Sequence, residues 1–175
     1  LNLSSGVWIS RGSGQENLIS LRSPVLTGPG ACGSFQITED GIPIRPAGFC
    51  NVNNLFEISA NLASQVEVIK GPSSAMFGGN SLHGLINIKS LEPKDANDIY
   101  FQIDKNESLR SRVLLRNSSN TLLGVELDRD KGFRNQTGFD QQKMVIKNYG
   151  SFRDWSLQTL INFTNLNQET AGYID

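Results

Sequence analysis

The stretch VEVIKGPSSAMFGGNSLHGLINI, residues 66–88, constrains the chain more than any other. It opens on alternation: Val66, Val68 and Lys70 point one way, Glu67 and Ile69 the other, as a half-buried strand requires. Gly71-Pro72 ends that strand, because proline removes a ladder donor, and the fixed φ of Pro72 lets it open a short helix through 73–77. Gly78-Gly79-Asn80 tolerates positive φ, so it stops the helix and reverses the chain. Gly84 then starts a second strand, Leu85-Ile86-Asn87-Ile88. Strand, helical turn, glycine reversal and strand are packed into 23 residues, which leaves room only for a tight local unit.

Charge and glycine divide the chain near Pro93. Of the first 92 residues 11 are Asp, Glu, Lys or Arg, against 22 of the remaining 83, while glycine falls from 12 to 5. Such a shift marks two architectures. The first part reads as short strands (7–10, 18–22, 34–38, 42–45) separated by turn-rich loops, with Glu39-Asp40-Gly41 as a tight turn. Asn53-Asn54 is positioned to cap a short helix over 55–58.

The second part alternates cleanly. Ile99, Phe101 and Ile103 face one way; Leu109, Val113 and Leu115 oppose Arg110, Arg112 and Arg116; Leu123, Val125 and Leu127 oppose Glu126 and Asp128. Leu157, Ile161 and Phe163 repeat the pattern, and Met144 and Ile146 mark a weaker strand. Five consecutive two-faced strands of about 9–11 residues predict an antiparallel meander. Alternation by itself fits a soluble sheet as well as a membrane barrel with apolar side chains in lipid and polar ones in a wet lumen.

The segment 66–88 closely resembles the end of the plug domain of TonB-dependent outer-membrane receptors. The usual wording there is an acidic strand, then (V/L)(K/R)GP(S/A)SA(L/M)(Y/F)G, then (G)GVIN(I/V). Gly71, Pro72, Gly78, Gly84 and Asn87 carry that motif here, and FQITEDGIPI (35–44) resembles the family's strand ending in DG(V/I)P. The plug resemblance runs from Gly6 to about Ser90, and GVELDRDKGFRNQTGFDQQKMVIKNYG and NFTNLNQETAGYID are similar to early barrel strands, which implies that the loop 130–142 is an extracellular turn. The implied fold class is an α+β plug, a small mixed sheet with short helices, followed by antiparallel β-strands of an incomplete transmembrane β-barrel. Residues 1–92 are expected to be the plug and 93–175 the first barrel strands.

The resemblance also implies a function: binding and import of a scarce nutrient such as a ferric siderophore, haem or cobalamin, energised through TonB, at the bacterial outer membrane. It implies no covalent chemistry and no cofactor. Family barrels have 22 strands, roughly 500 residues beyond the plug, and the motif that docks TonB lies upstream of the plug segment seen here, so the chain reads as an internal fragment. The chain opens LNLSSGVW, without Met or a secretory signal pattern. No run of 18 apolar residues makes a transmembrane helix, and a net charge of −1 gives no basic footprint for nucleic acid.

The candidate ligand contacts lie in the loop 45–54. In the family, loops after the DGxP strand rise to the plug apex. Arg45 has the fork to hold carboxylate or catecholate oxygens of a ferric chelate, Phe49 to stack on a planar ligand, and Asn51 and Asn53 to supply adaptable hydrogen bonds. Arg45 fits equally a pairing with an inward barrel carboxylate such as Glu126 or Asp128. Cys32 and Cys50, 18 positions apart, bracket a stretch rich in Gly and Pro; they are unrelated thiols, a metal pair short of ligands, or a disulfide, which in an oxidising compartment would stabilise by roughly 3 kcal/mol. GPSSA resembles a nucleophile elbow only loosely, because His83 follows Ser73 by ten residues with no acid between them.

Overall fold

A computed structural model of the chain describes residues 5–11, 14–15, 17–24, 33–44, 57–93, 97–105 and 107–169. Residues Leu1–Gly12 with Glu16–Ser90 form one compact unit, and Ser13–Gln15 with Leu91–Asp175 form another.

In the first unit β1 (Val7–Arg11), β2 (Asn17–Leu21) and β3 (Ser23–Pro24) pair antiparallel in that order. Val7 opposes Leu21 and Ile9 opposes Ile19, so one face of the hairpin is aliphatic. A second sheet has the order β5-β4-β7-β6, built from β4 (Phe35–Glu39), β5 (Ile42–Pro43), β6 (Ala63–Lys70) and β7 (Gly84–Ser90). β4 and β7 run parallel and the other two pairings are antiparallel, which makes the sheet mixed. Asp40 (φ +49) and Gly41 (φ +82) form the β4–β5 reversal with two positive φ angles, the conformation a two-residue hairpin turn requires.

Every residue of β4 is buried. Phe35 and Ile37 join Val7, Ile19, Leu21, Ile58, Ile86 and Ile88 in one core cluster between the two sheets. Gln36 and Thr38 alternate with them onto the opposite face. Buried amides and hydroxyls need partners, and Gln36 Oε1 accepts from Ser81 Oγ at 2.8 Å while Thr38 Oγ1 donates to Asn87 Oδ1 at 2.8 Å. The alternation expected of β6 does not separate a buried from an exposed face: Val66 and Ile69 are both about 40% exposed, while Ala63 and Val68 pack against the core.

The turn between β6 and β7 contains α1 (Ser74–Phe77). Pro72 does not open it. Ser73 is the N-cap, with non-helical backbone angles, because its N–H donates to Ser81 O at 3.0 Å and ties it to the returning chain. The helix expected over 55–58 also fails in its described part: Glu57 and Ile58 are not helical, and the short helix is a 3-10 turn at Ala60–Leu62. Ile58 instead turns into the core, where it is fully buried.

The second unit is a five-stranded antiparallel meander, β8 (Asp98–Ile103), β9 (Leu109–Asn117), β10 (Thr121–Asp130), β11 (Phe139–Phe152) and β12 (Trp155–Gln168). The last two strands have 14 residues each, longer than expected. The loop expected over 130–142 is correspondingly shorter, because β11 starts at Phe139 and pairs Gln141 with Asp128. Asp140, Gln141 and Gln142 are poor strand formers by propensity, yet their place beside β10 and β12 supplies both ladders. The remaining turn is closed by Thr137, which donates to Arg134 O at 2.8 Å and accepts from Arg134 N at 3.2 Å.

Candidate functional site

The proposed ligand residues Arg45, Phe49, Asn51 and Asn53, and the cysteines Cys32 and Cys50, lie outside the described residues. The two described ends of that loop are firmly held. Ile44 N donates to Ile37 O at 3.3 Å, and Ile58 is buried in the core.

Asn87 is the motif residue with a polar side chain. It stands opposite Thr38 on β4 and Glu67 on β6, in the middle of the mixed sheet. Its Oδ1 accepts from Thr38 Oγ1 at 2.8 Å and from Gly41 N at 3.0 Å, and its Nδ2 donates to Glu67 Oε2 at 3.0 Å. One amide thus joins three strands and the β4–β5 turn. The Lys89 ammonium, 2.6 Å from Glu67, and secondly the Asn87 amide hold the Glu67 carboxyl below the usual carboxylate range, against the smaller opposing effect of burial. Asp40 completes the hub: its carboxylate accepts from Ser90 N at 3.1 Å and Ser90 Oγ at 2.5 Å, and its N–H donates to Ile88 O at 3.0 Å.

The glycines of the motif shape the entry to β7. Gly71 (φ +119) donates from its N–H to His83 O at 3.0 Å, and Gly78 (φ +88) closes α1 onto Ser74 O at 2.9 Å. Gly84 has φ +145, and a Cβ there would lie 2.2 Å from Ile69 O and 2.8 Å from Leu21 Cδ2. Only glycine lets β7 approach β6 and the first sheet this closely. Ser73, the nucleophile of any elbow reading, spends its hydroxyl on Ser81 O at 3.3 Å. Among the described residues no group of three or more His, Cys, Asp or Glu side chains is arranged to hold a metal ion.

The five-stranded sheet is inverted relative to a water-soluble one. Ile99, Phe101, Ile103, Leu157, Ile161 and Phe163 expose half or more of their surface, while Glu126, Asp128, Gln141, Lys143 and Lys147 are buried. The register aligns the polar face into rows: Tyr100, Arg112, Glu126, Lys143 and Thr164 in one, Gln102, Arg110, Asp128 and Gln141 in the next. An outward apolar band and an inward charged face are the pattern of a barrel wall in lipid.

The family description "TonB-dependent Receptor Plug Domain" matches residues 1–85. Residues 1–85 belong to the TonB-dependent receptor plug family. The hub around Asn87 is the centre of the plug sheet, and the five strands after the plug are antiparallel strands of a partial barrel, open at β8 and β12. Two solved receptors have the same fold. The ferric yersiniabactin uptake receptor FyuA of Yersinia pestis is 17% identical with a TM-score of 0.62, over 94% of this chain and 28% of that one. The pyoverdine outer membrane receptor FpvA of Pseudomonas aeruginosa PAO1, bound to pyoverdine, is 17% identical with a TM-score of 0.60, over 91% of this chain and 23% of that one. The chain thus spans 28% and 23% of the lengths of these receptors.

Sequence reasoning located Gly71, Pro72, Gly78, Gly84 and Asn87 but missed the partners Thr38, Glu67, Asp40 and Ser90, which lie up to 50 residues away in the chain. The available signal was two candidate strands, 35–39 and 84–88, in which polar residues (Gln36, Thr38 and Glu39 in the first, Asn87 in the second) stand among apolar ones.

Proposed function

We propose that the protein is part of an outer-membrane receptor that binds a scarce nutrient and admits it to the cell with energy delivered through TonB. The observation that carries this reading is the succession of a plug domain and an antiparallel sheet whose exposed face is apolar. Within the reading, residues 1–92 are the plug and 93–175 the first barrel strands. The role is a binding and gating one without covalent chemistry, and its setting is the bacterial outer membrane.

The ligand proposed is a ferric chelate of the siderophore class. Both similar receptors take molecules of that class, one ferric yersiniabactin and the other pyoverdine. On this chain the contacts proposed are Arg45, Phe49, Asn51 and Asn53 of the loop 45–54, with a Cys32–Cys50 disulfide limiting the ordering cost of binding. TonB would energise the transport, and lipid would cover the apolar strand face.

The test is uptake of iron-55 presented on a panel of siderophores by iron-starved cells carrying the complete gene, with and without TonB. Accumulation that disappears in the TonB-deficient strain is the expected result. Equal accumulation in cells lacking the gene, across the whole panel, would overturn the ferric-chelate reading. Arg45→Ala is expected to weaken ligand affinity about tenfold or more, the scale of one lost charge-assisted contact.

A further inference from the structure

Lys147 has no exposed surface although it carries a charge. On the polar face of the sheet its cross-strand neighbours are Leu122 on β10 and Leu160 on β12. Two places along β11, on the same face, stand Val145 and Tyr149. Nearby on that face Leu114, Leu122 and Val145 are buried too, so this end of the polar face is locally apolar. An ammonium in such surroundings demands a counter-charge.

That counter-charge comes from the stretch that leaves the plug. Glu92, two residues after the end of β7, accepts from Lys147 Nζ at 3.0 Å and from Tyr149 Oη at 3.1 Å through the same Oε1 atom. Lys147 Nζ also lies 5.4 Å from the Tyr149 ring centroid, within cation–π range. The three side chains make a closed triangle in which each group touches both others. Pro93 follows immediately and restricts the backbone of Glu92, so that the carboxylate is presented by a stiffened segment.

We propose that Glu92, Lys147 and Tyr149 form a clasp that fastens the plug-to-strand connection to β11. The clasp fixes where the chain enters the five-stranded sheet. A lysine buried among leucines is a poor choice for stability alone, since an apolar residue of the same length would pack there at no charge-burial cost. Its use is positional: it recognises one carboxylate on the incoming segment and no apolar substitute would.

The test is a distance measurement in the intact protein in lipid. Genetically encoded nitroxides replace Leu91 and Leu157, and their separation is read by pulsed electron resonance. Lys147→Met keeps the volume and fits the leucine surroundings, so this variant folds whether or not the clasp exists. A narrow distribution in the parent and one about twofold broader in Lys147→Met and Glu92→Ala is expected, with Lys143→Met keeping the parent's width. An unchanged width in Lys147→Met overturns the clasp, and so does an equal broadening in Lys143→Met. The readout needs neither ligand nor transport, so its outcome is separate from that of the uptake assay.

Discussion

Asn87 lies directly opposite Thr38 in the parallel pairing of β7 and β4, and its Oδ1 accepts a hydrogen bond from the Thr38 hydroxyl at 2.8 Å. The contact is a polar bond in a strand pair buried on both faces, and it shares its acceptor atom with the Gly41 amide. The plug sheet is thus pinned at one atom where two strands and a turn meet.

Asn87→Ala leaves the buried Thr38 hydroxyl and the Gly41 N–H without this acceptor. A loss of about 2–3 kcal/mol of plug stability is expected, the scale of unsatisfied buried groups. Asn87→Asp keeps the acceptor but brings a second carboxylate to Glu67, so it is expected to destabilise as well, and more at high pH than at low pH. Urea unfolding of the two variants against the parent, followed at neutral and mildly acid pH, checks both.

The Glu67 carboxyl titrates below its ordinary value because Lys89 and Asn87 favour the charged form. A depressed folded-state value means that the group contributes stability above its unfolded value and loses it as pH falls through the folded one. Glu67→Gln should therefore flatten the acid limb of the stability profile and leave the alkaline limb alone. Parallel acid limbs in parent and variant would contradict the assignment, and added salt should shrink the difference because the pair is solvent-facing.

Gly84 and Gly78 both have positive φ, but their surroundings differ. A methyl group at Gly84 runs into the Ile69 carbonyl, whereas at Gly78 nothing lies within 4 Å. Gly84→Ala is expected to cost roughly 3 kcal/mol or more, and Gly78→Ala about 1 kcal/mol, the conformational strain alone. Denaturation midpoints of the two variants give the order directly; equal losses would show that backbone strain, not crowding, governs Gly84.

Ile161 is half exposed on the apolar face of β12. In a bilayer Ile161→Lys should cost about 2–4 kcal/mol at mid-depth, whereas the same change on a water-facing surface costs almost nothing. Folding titrations of the complete protein into phospholipid vesicles distinguish the two. No measurable cost would remove the lipid from this face.

Much of the fold was legible in the sequence because period-two alternation is a local property. Leu123-Val125-Leu127 against Glu126-Asp128 shows a two-faced strand without knowledge of any neighbour. The start of β11 was not legible, since Asp140, Gln141 and Gln142 are strand residues only by virtue of the ladders on either side. Pro72 illustrates a similar limit. Its φ suits a helix start, but the Ser73–Ser81 bond placed the cap one residue later.

The sequence by itself determined the glycine and proline punctuation of 66–88, the two-residue turn at Asp40-Gly41 and the alternation of the later strands, all set by φ/ψ preference and side-chain period. Only the tertiary structure decided which strands are neighbours and which face is dry. The parallel join of β4 to β7, the meeting of Thr38, Glu67 and Gly41 on Asn87, and the burial of Lys147 against Glu92 all bring together residues that are 20 to 55 positions apart. Contacts at such separation depend on chain closure and shared burial, which no local pattern encodes.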